Sequence, residues 1–345
     1  MTELLEKIRN IGMTGKSLLR LLDLSDKQML DLVDLAIDLK ARKKANGHLV
    51  NPFLRGRNIC LIFQKSSTRT RCATLCAVRD EGANAEYLGQ GEIHFGKKES
   101  VAASARVLGR FFDGILFRGF KQETVEGLAK YSGRPVWNGL TDEWHPTQIL
   151  ADLQTMKEYF GHLKGLKVAF VGDGRNNVCN SLMVGCAKAG IDMVDICPAE
   201  LSPEDHILAA AREAAARNGS TVTVEHDPKK GIAGVNVIYT DVWVSMGEEA
   251  MFQQRLKLLK PYQVNMDLVK ATGNLESGKV IFLHCLPAFH DTNTRIGRKI
   301  YEKYGLKEME VTNEIFESDH SVVFDEAENR MHTIKAVIYT TLGGK

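Results

Sequence analysis

The chain has 345 residues, of which 44% are hydrophobic, and its 45 basic and 43 acidic residues give a formal net charge of +2. This length favours two domains of ordinary size, and the dispersed, nearly balanced charge excludes the broad basic surface that binds nucleic acid. The N-terminal segment carries charges of both signs, and the sequence contains no apolar run long enough to cross a bilayer. We therefore expect a cytoplasmic protein without membrane contact. The seven dispersed cysteines form no CxxC pair and are expected to be reduced and to bind no metal.

The first half of the chain alternates between helical and strand patterns. Ser25 and Gln28 form a capping box ahead of apolar residues at helical spacing, which predicts an amphipathic helix. Residues 58–63 form a short apolar run typical of a parallel strand covered on both faces, and a polar loop and a helical stretch follow it. Because this alternation repeats, we predict one α/β domain over residues 1–149.

A helical segment over residues 145–160 is predicted to bridge this domain and a second one. Pro146 stands at its start, where a missing N–H costs little. A second series of strands and helices then predicts a second parallel sheet over residues 150–322. The C-terminal segment, 323–345, is helical without a strand of its own, so we expect it to pack back on the first domain. The predicted fold class is α/β, with two similar domains that each contain a parallel sheet flanked by helices.

The segment KSSTRTR, residues 65–71, lies between the first predicted strand and its helix. In open parallel sheets, ligands bind beyond the carboxyl ends of the strands. Hydroxyl groups, free backbone N–H groups and guanidinium groups at a helix N-terminus predict a phosphate site. A Ser/Thr helix cap with solvated arginines would produce the same tripeptide STR. Two arginines in a first helical turn oppose the helix dipole unless an anion is bound, which favours the phosphate site.

Three other polar residues of the first half lie at strand or helix ends. His145 and Gln148 stand at the start of the bridging helix, where an imidazole and a primary amide could bind a carbonyl oxygen and an amide nitrogen. Arg118 follows the predicted strand GILF and could bind the same anion. Each residue alone is equally compatible with a cap, a surface hydrogen bond or a solvated cation.

The second half contains a glycine-rich turn, VGDGRNNV, after its first predicted strand. The turn does not match the dinucleotide fingerprint GxGxxG, because Asn177 stands where the third glycine would be. This mismatch argues against a dinucleotide-dependent oxidoreductase.

Two further strand ends carry chemistry-bearing groups. Asp241 follows a buried strand, and Ser245, Met246 and Gly247 form a compact loop just beyond it, which suits a ligand that bears an amine. Cys285 lies at the end of another strand, although a free cysteine is more often a small core residue.

Together these motifs resemble the aspartate and ornithine carbamoyltransferase family over nearly the whole chain and in the family's order. SSTRTR, HPTQ and HCLPA are the family's hallmarks, and ENRMH near the C-terminus agrees with them. Within the family, the loop DVWVSMG resembles the members that act on ornithine. The resemblance implies carbamoyl phosphate and L-ornithine as substrates, citrulline and phosphate as products, and no cofactor.

The resemblance assigns residues to each substrate. Arg118, His145, Asp241 and Cys285 would be catalytic. The carbamoyl phosphate residues would be Ser67, Thr68, Arg69, Thr70, His94, Arg118, His145, Gln148, Cys285, Leu286 and Arg330, and the ornithine residues Asn177, Asp241, Ser245 and Met246.

The acceptor amine poses a chemical requirement. An ornithine side-chain amine has a pKa of roughly 10, so at neutral pH it is mostly protonated and cannot attack. We expect the site to bind the neutral amine, Asp241 and Cys285 to position it, and the leaving phosphate to be a candidate proton acceptor.

The segment 92–100, which includes His94, resembles the family loop that a neighbouring subunit contributes to the phosphate site. A homotrimer, or an assembly based on trimers, is therefore expected. Many relatives carry Gln at the position of His94, although His also occurs in the family.

The sequence leaves two alternatives to a carbamoyltransferase that acts on ornithine. A carbamoyltransferase for another amine, such as putrescine, is disfavoured because a diamine has no carboxylate for the SMG loop to bind. A non-catalytic binding relative is disfavoured because the motif residues are intact. The direction of the reaction in arginine metabolism, synthesis or breakdown, stays open.

Overall fold

The computed structural model describes residues 2–46, 53–92, 98–244 and 249–343. The chain divides into two compact units, unit 1 formed by Met1–Glu158 with Ala327–Lys345, and unit 2 formed by Tyr159–Glu326. Each unit has a parallel sheet flanked by helices, so the predicted fold class is confirmed. None of the helices in the described ranges is both long and apolar enough to cross a membrane.

Unit 1 is built on a four-stranded parallel sheet. Its elements are α1 (Thr2–Asn10), α2 (Asp26–Asn46), β1 (Asn58–Phe63), α3 (Thr68–Arg79), β2 (Asn84–Leu88), α4 (Val101–Phe111), β3 (Gly114–Arg118), α5 (Gln122–Ser132), β4 (Val136–Leu140) and α6 (Pro146–Phe160). The strand order is β2-β1-β3-β4, and Phe63 at the end of β1 lies beside Arg118 at the end of β3. β1 is buried on both faces apart from Asn58, as its apolar sequence predicts.

The strand order of unit 1 reverses between β1 and β3. The chain leaves β1 for β2 on one side, returns to β3 on the other side, and continues outward to β4. Ligands of open α/β sheets bind at such a switch point, outside the carboxyl ends of the two strands. The loop before α3 and the end of β3 therefore lie where the fold favours a ligand.

Unit 2 is built on a five-stranded parallel sheet. Its elements are β5 (Lys167–Val171), α7 (Asn177–Ala189), β6 (Asp192–Ile196), α8 (Asp205–Asn218), β7 (Val222–Glu225), α9 (Pro228–Gly231), β8 (Val237–Thr240), α10 (Phe252–Leu259), α11 (Met266–Ala271), β9 (Ile281–His284), α12 (Arg295–Tyr304) and α13 (Asn313–Phe316). The order β7-β6-β5-β8-β9 reverses between β5 and β8, so the turn after β5 and Asp241 after β8 meet at this unit's switch point.

Two helices carry the chain from one unit to the other. α6 begins in unit 1 and its last two residues belong to unit 2, while α14 (Val323–Leu342) begins in unit 2 and belongs to unit 1 from Ala327 onward. The return of the C-terminal helix to the first domain is thus as predicted. The unit boundaries fall after Glu158 and Glu326, whereas the sequence placed them after residues 149 and 322. Both boundaries lie inside continuous helices, where the residue pattern contains no break to reveal them.

Candidate active site

We call the N-terminus of α3 in unit 1, where the sequence predicts a phosphate site, the anion cradle. Ser67 caps the helix, and its hydroxyl accepts a hydrogen bond from the backbone N–H of Thr70 over 3.2 Å. Thr68 is exposed, Arg69 is half-buried, and no acidic residue occupies the first turn. The backbone N–H groups and the dipole of a helix N-terminus together favour an anion at such a position.

Two buried arginines converge on the hydroxyl of Thr70. Nη1 of Arg118, at the end of β3, lies 3.5 Å from Thr70 Oγ1, and Nη2 of Arg330, on α14, donates to the same oxygen over 3.1 Å. Both arginines are more than nine-tenths buried. A guanidinium group presents several N–H donors in one plane, a geometry that matches phosphate oxygens, so the convergence of two such groups on one hydroxyl is suited to binding an anion.

His145, the residue before α6, lies among these cations. Its side chain is buried, and burial lowers the pKa of the imidazole well below its usual range. The charges of Arg330, Arg118 and Arg69 lower that pKa further. The imidazole is therefore neutral in the absence of ligand and can donate one N–H to a carbonyl oxygen without adding a proton to the site.

Gln148, in the first turn of α6, forms hydrogen bonds through both the oxygen and the nitrogen of its side-chain amide. Its Oε1 accepts from Arg330 Nη1 over 2.6 Å, and its Nε2 donates to Asp152 Oδ1 over 2.9 Å. Arg330 also donates to Thr147 Oγ1 over 3.3 Å. Gln148 therefore orients Arg330. Its role in binding the carbamoyl group stays a prediction from the sequence.

In unit 2, Asp241 receives hydrogen bonds on both carboxylate oxygens. Oδ1 accepts from the backbone N–H of Val242 over 2.8 Å and from the thiol of Cys285 over 3.2 Å, while Oδ2 accepts from Asn176 Nδ2 over 2.9 Å. Asp241 and Cys285, which the sequence predicted as neighbours of one substrate nitrogen, are thus in direct contact. They come from adjacent strand ends, β8 and β9.

Sequence reasoning missed Asn176. Its Oδ1 accepts from Val178 N over 2.7 Å and so caps α7, while its Nδ2 fixes the Asp241 carboxylate. The predicted ligand Asn177 is the first residue of α7 and is half-buried. Asn is a preferred helix cap, so the pair of asparagines before an apolar helix contained a signal for the cap but none for the partner of Asp241.

His284 and Leu286 shape the end of β9. Leu286 adopts a left-handed backbone (φ 57°), which costs a residue with a side chain about 1–2 kcal/mol, and its N–H donates to His284 Nδ1 over 2.9 Å. Although burial lowers the pKa of His284, the nearby Glu310 carboxylate outweighs burial and raises that pKa above its usual value. The imidazole therefore bridges the strained loop and a buried acid.

Asp241, His284 and Cys285 have the donor atoms to hold a metal ion. One atom from each lies within 4.8 Å of the others, and this is the single such group among the described residues. All three are already engaged, since Cys285 donates to Asp241 and His284 Nδ1 accepts from Leu286. A metal ion would have to replace the thiol proton and one of these hydrogen bonds, so the expectation of a site without metal stays a prediction.

Three predicted site residues, His94, Ser245 and Met246, lie outside the described residues. The segment expected from a neighbouring subunit and the loop expected around the acceptor therefore remain predictions from sequence.

Two family profiles match the chain and together span nearly all of it. The aspartate/ornithine carbamoyltransferase carbamoyl-P binding domain matches residues 16–158, and the Asp/Orn binding domain of the same family matches residues 164–341. The chain belongs to the aspartate/ornithine carbamoyltransferase family. It is accordingly a carbamoyltransferase, and the first profile covers the anion cradle of α3 while the second covers Asp241 and Cys285.

Named members of this family match the chain over nearly its full length. The chain is 58% identical to a catabolic ornithine carbamoyltransferase of Bacillus licheniformis, with 97% of this chain and 98% of that protein covered. It is 55% identical to a catabolic ornithine carbamoyltransferase of Staphylococcus aureus, with 95% and 96% covered. The solved structure of ornithine carbamoyltransferase from Pyrococcus furiosus matches with a TM-score of 0.86 at 39% identity, covering 96% of this chain and 99% of that one.

Proposed function

We propose that the protein transfers the carbamoyl group of carbamoyl phosphate to the side-chain amine of L-ornithine and releases L-citrulline and phosphate. The main supporting observation is that the guanidinium groups of Arg330, Arg118 and Arg69 lie near the buried His145. The N-terminus of α3, which Ser67 caps and whose first turn has no acidic residue, belongs to the same unit. This arrangement suits a substrate that combines a phosphate with a carbonyl. The full-length identity to ornithine carbamoyltransferases supports ornithine as the acceptor.

The phosphate of carbamoyl phosphate binds at the start of α3. Ser67, Thr68, Arg69 and Thr70 supply hydroxyl groups, backbone N–H groups and one guanidinium group. Arg118 and Arg330 approach Thr70 from β3 and α14. Because the leaving phosphate gains negative charge as the reaction proceeds, these fixed donors stabilise the transition state more than the ground state.

The carbamoyl group binds beside His145. The His145 N–H and Arg118 donate to the carbonyl oxygen and stabilise the oxyanion that forms when the amine adds. Gln148 orients the amide nitrogen of the same group. A neutral imidazole suits this role, because a protonated one would add a fourth cation beside Arg69, Arg118 and Arg330.

The acceptor amine reacts beside Asp241 and Cys285. The uncharged nitrogen attacks the carbamoyl carbon, a C–N bond forms, the bond from carbon to the phosphate oxygen breaks, and the nitrogen transfers one proton to the leaving phosphate. Asp241 accepts a hydrogen bond from the attacking amine, and Cys285 completes the surroundings of that nitrogen together with Leu286. Asn177, Ser245 and Met246 bind the amino-acid end of ornithine.

The active assembly is a homotrimer in which the segment 92–100 of one subunit, including His94, reaches the phosphate site of the next. The resemblance of this segment to the family loop supports the assignment. Replacement of His94 by Ala in a mixed trimer with a second inactive variant tests it, since restored activity requires residues from two chains in one site.

The physiological direction is breakdown, in which citrulline and phosphate yield ornithine and carbamoyl phosphate. Relatives that are 54–58% identical over at least 95% of this chain are named catabolic, whereas the structurally matched anabolic enzyme of Campylobacter jejuni is 32% identical. Sigmoidal dependence of the forward rate on carbamoyl phosphate is expected, and a hyperbolic dependence together with slow phosphorolysis of citrulline would contradict this direction.

Steady-state rates with carbamoyl phosphate against ornithine, putrescine and aspartate test the reaction itself. Ornithine should exceed each of the others in kcat/KM by at least about a hundredfold, because putrescine lacks the main-chain carboxylate and aspartate lacks the side-chain amine. Faster transfer to putrescine would overturn the choice of acceptor. Full-length matches to named enzymes do not favour that alternative or a non-catalytic role.

A further inference from the structure

A buried polar cluster joins three helices of unit 1 away from the anion cradle. We call it the Asn329 cluster; its members are Lys40 on α2, Gln154, Thr155 and Glu158 on α6, and Asn329 on α14. The ammonium group of Lys40 donates to Glu158 Oε2 over 2.8 Å and to Asn329 Oδ1 over 2.7 Å. Asn329 Nδ2 donates to Thr155 Oγ1 over 2.9 Å and to Glu158 Oε2 over 3.0 Å.

Two members of the cluster that hydrogen-bond to each other are buried. Asn329 is fully buried and Lys40 is 8% exposed. Although burial raises the pKa of Glu158, hydrogen bonds from Lys40, Gln154 and Asn329 outweigh burial and leave that pKa below its usual value. A buried ion pair of this kind adds little net stability compared with apolar side chains of the same volume. Its directional hydrogen bonds do fix the position of one helix against another.

Arg330 follows Asn329 directly on α14. The two neighbours attach α14 to opposite halves of α6, since Asn329 binds Thr155 whereas Arg330 binds Gln148 and Thr147. Thr155 and Gln148 are two helical turns apart, about 10 Å along the axis. Two attachment points at that separation determine both the rotation and the axial position of α14.

The hydrogen bonds of Arg330 depend on this rotation and axial position of α14. A hydrogen bond weakens steeply once donor and acceptor separate beyond about 3.2 Å or the angle bends, while one residue of slip moves a helix by about 1.5 Å. The 2.6 Å bond to Gln148 and the 3.1 Å bond to Thr70 would not survive such a slip.

We infer that Lys40 and Asn329 are positioning residues that hold Arg330 in place to bind the phosphate of carbamoyl phosphate, although neither touches that substrate. The inference rests on the proposed function for the identity of the ligand. It concerns the affinity for one substrate and leaves the binding of ornithine unaffected.

The test compares Lys40→Met with a matched control, Lys335→Met. Lys335 lies on α14, the helix that carries Asn329 and Arg330; it is 3% exposed and donates to Asp80 over 3.0 Å and Glu81 over 3.1 Å. Both variants lose a buried ammonium group with two partners, so both should lower Tm. Lys40→Met alone should raise the Kd and KM for carbamoyl phosphate about tenfold, with less than a twofold change in the KM for ornithine at saturating carbamoyl phosphate.

Two milder variants keep the test decisive if Lys40→Met does not fold. Thr155→Val removes one hydrogen bond of Asn329 without a change of volume and should raise the KM for carbamoyl phosphate two- to threefold. Lys40→Arg keeps the charge and should retain a KM nearer to wild type than Lys40→Met. A folded Thr155→Val or Lys40→Met with unchanged affinity for carbamoyl phosphate would overturn the inference, as would an equal effect of Lys335→Met. A wild-type protein without ornithine carbamoyl transfer would contradict the proposed function itself.

Discussion

Cys285 donates its thiol hydrogen to Oδ1 of Asp241, so the ends of two adjacent strands share one polar contact. The other oxygen of Asp241, Oδ2, accepts a hydrogen bond from the Asn176 amide. Two residues that the sequence predicted to lie beside the acceptor nitrogen therefore have a defined mutual geometry, and that geometry permits specific predictions.

Replacement of Cys285 by Ala should lower kcat by about tenfold or more, since an Asp241 carboxylate without its thiol partner can rotate away from the amine. The Kd for carbamoyl phosphate should stay within twofold. Titration calorimetry with carbamoyl phosphate and steady-state kinetics separate the two quantities. A large rise in Kd with kcat preserved would remove Cys285 from the chemistry of the acceptor.

Asn176 can be tested with a pair of variants that separate its two hydrogen bonds. Asn176→Ser keeps a helix cap but is too short to hold Asp241, whereas Asn176→Ala loses both functions. Both should lower kcat to a similar extent, about tenfold, and Asn176→Ala alone should lower the free energy of unfolding by about 1 kcal/mol more. Denaturant unfolding measures the stability difference. Activity that follows stability instead would show that Asn176 acts only as a cap.

The depressed pKa of His145 predicts a pH-dependent stability. Below about pH 6.5 the unfolded chain takes up a proton at this imidazole and the folded protein does not, so the free energy of unfolding falls as the pH decreases. Between pH 7 and pH 5, without substrate, wild type should lose up to about 2 kcal/mol more than His145→Gln.

The exposed His162 offers a control for that measurement. His162→Gln should follow the wild-type curve of unfolding free energy against pH. Parallel curves for wild type and His145→Gln would show that His145 is not held neutral by its surroundings.

Asp195, in unit 2, predicts the opposite dependence of the free energy of unfolding on pH. Burial and the Asp173 charge raise the pKa of this carboxyl to about 7, while hydrogen bonds from Cys197 and Cys179 oppose them. The folded protein keeps the proton that the unfolded chain releases near pH 4, so stability falls as the pH rises from about 4 to 7 and stays lower above that range. From pH 5 to pH 8, wild type should lose about 2 kcal/mol more than Asp195→Asn in denaturant unfolding. An unchanged difference across that range would contradict a buried protonated Asp195.

Residue patterns predict the strands and the polar groups at their ends, because both depend on residues that are near one another in the sequence. The apolar run of β1 requires burial on both faces, and parallel strands bring polar groups at their ends, such as Arg118 and Asp241, to one edge. Family resemblance, and not spacing, supplied the roles of these groups. The contacts that sequence reasoning missed join distant residues: Asn176 and Asp241 are 65 positions apart, and Lys40 and Asn329 are 289 positions apart.

The burial of Lys40 also differs from what the residue pattern of α2 predicts. The apolar spacing of α2 predicts a conventional amphipathic helix, in which a lysine lies in solvent. In the structure this lysine is buried, because Glu158 and Asn329 arrive from two other helices to satisfy its charge. Nothing in the neighbouring sequence of α2 specifies those partners.

Arg330 belongs to α14, which follows unit 2 in the chain, yet its guanidinium group binds Thr70 and Gln148 of the first unit. During synthesis on the ribosome, all of unit 2 must therefore be translated before the cationic group of unit 1 is complete. A nascent chain that ends anywhere before α14 lacks one of its three arginines. Affinity for the anionic substrate is thus gained only after α14 has been translated.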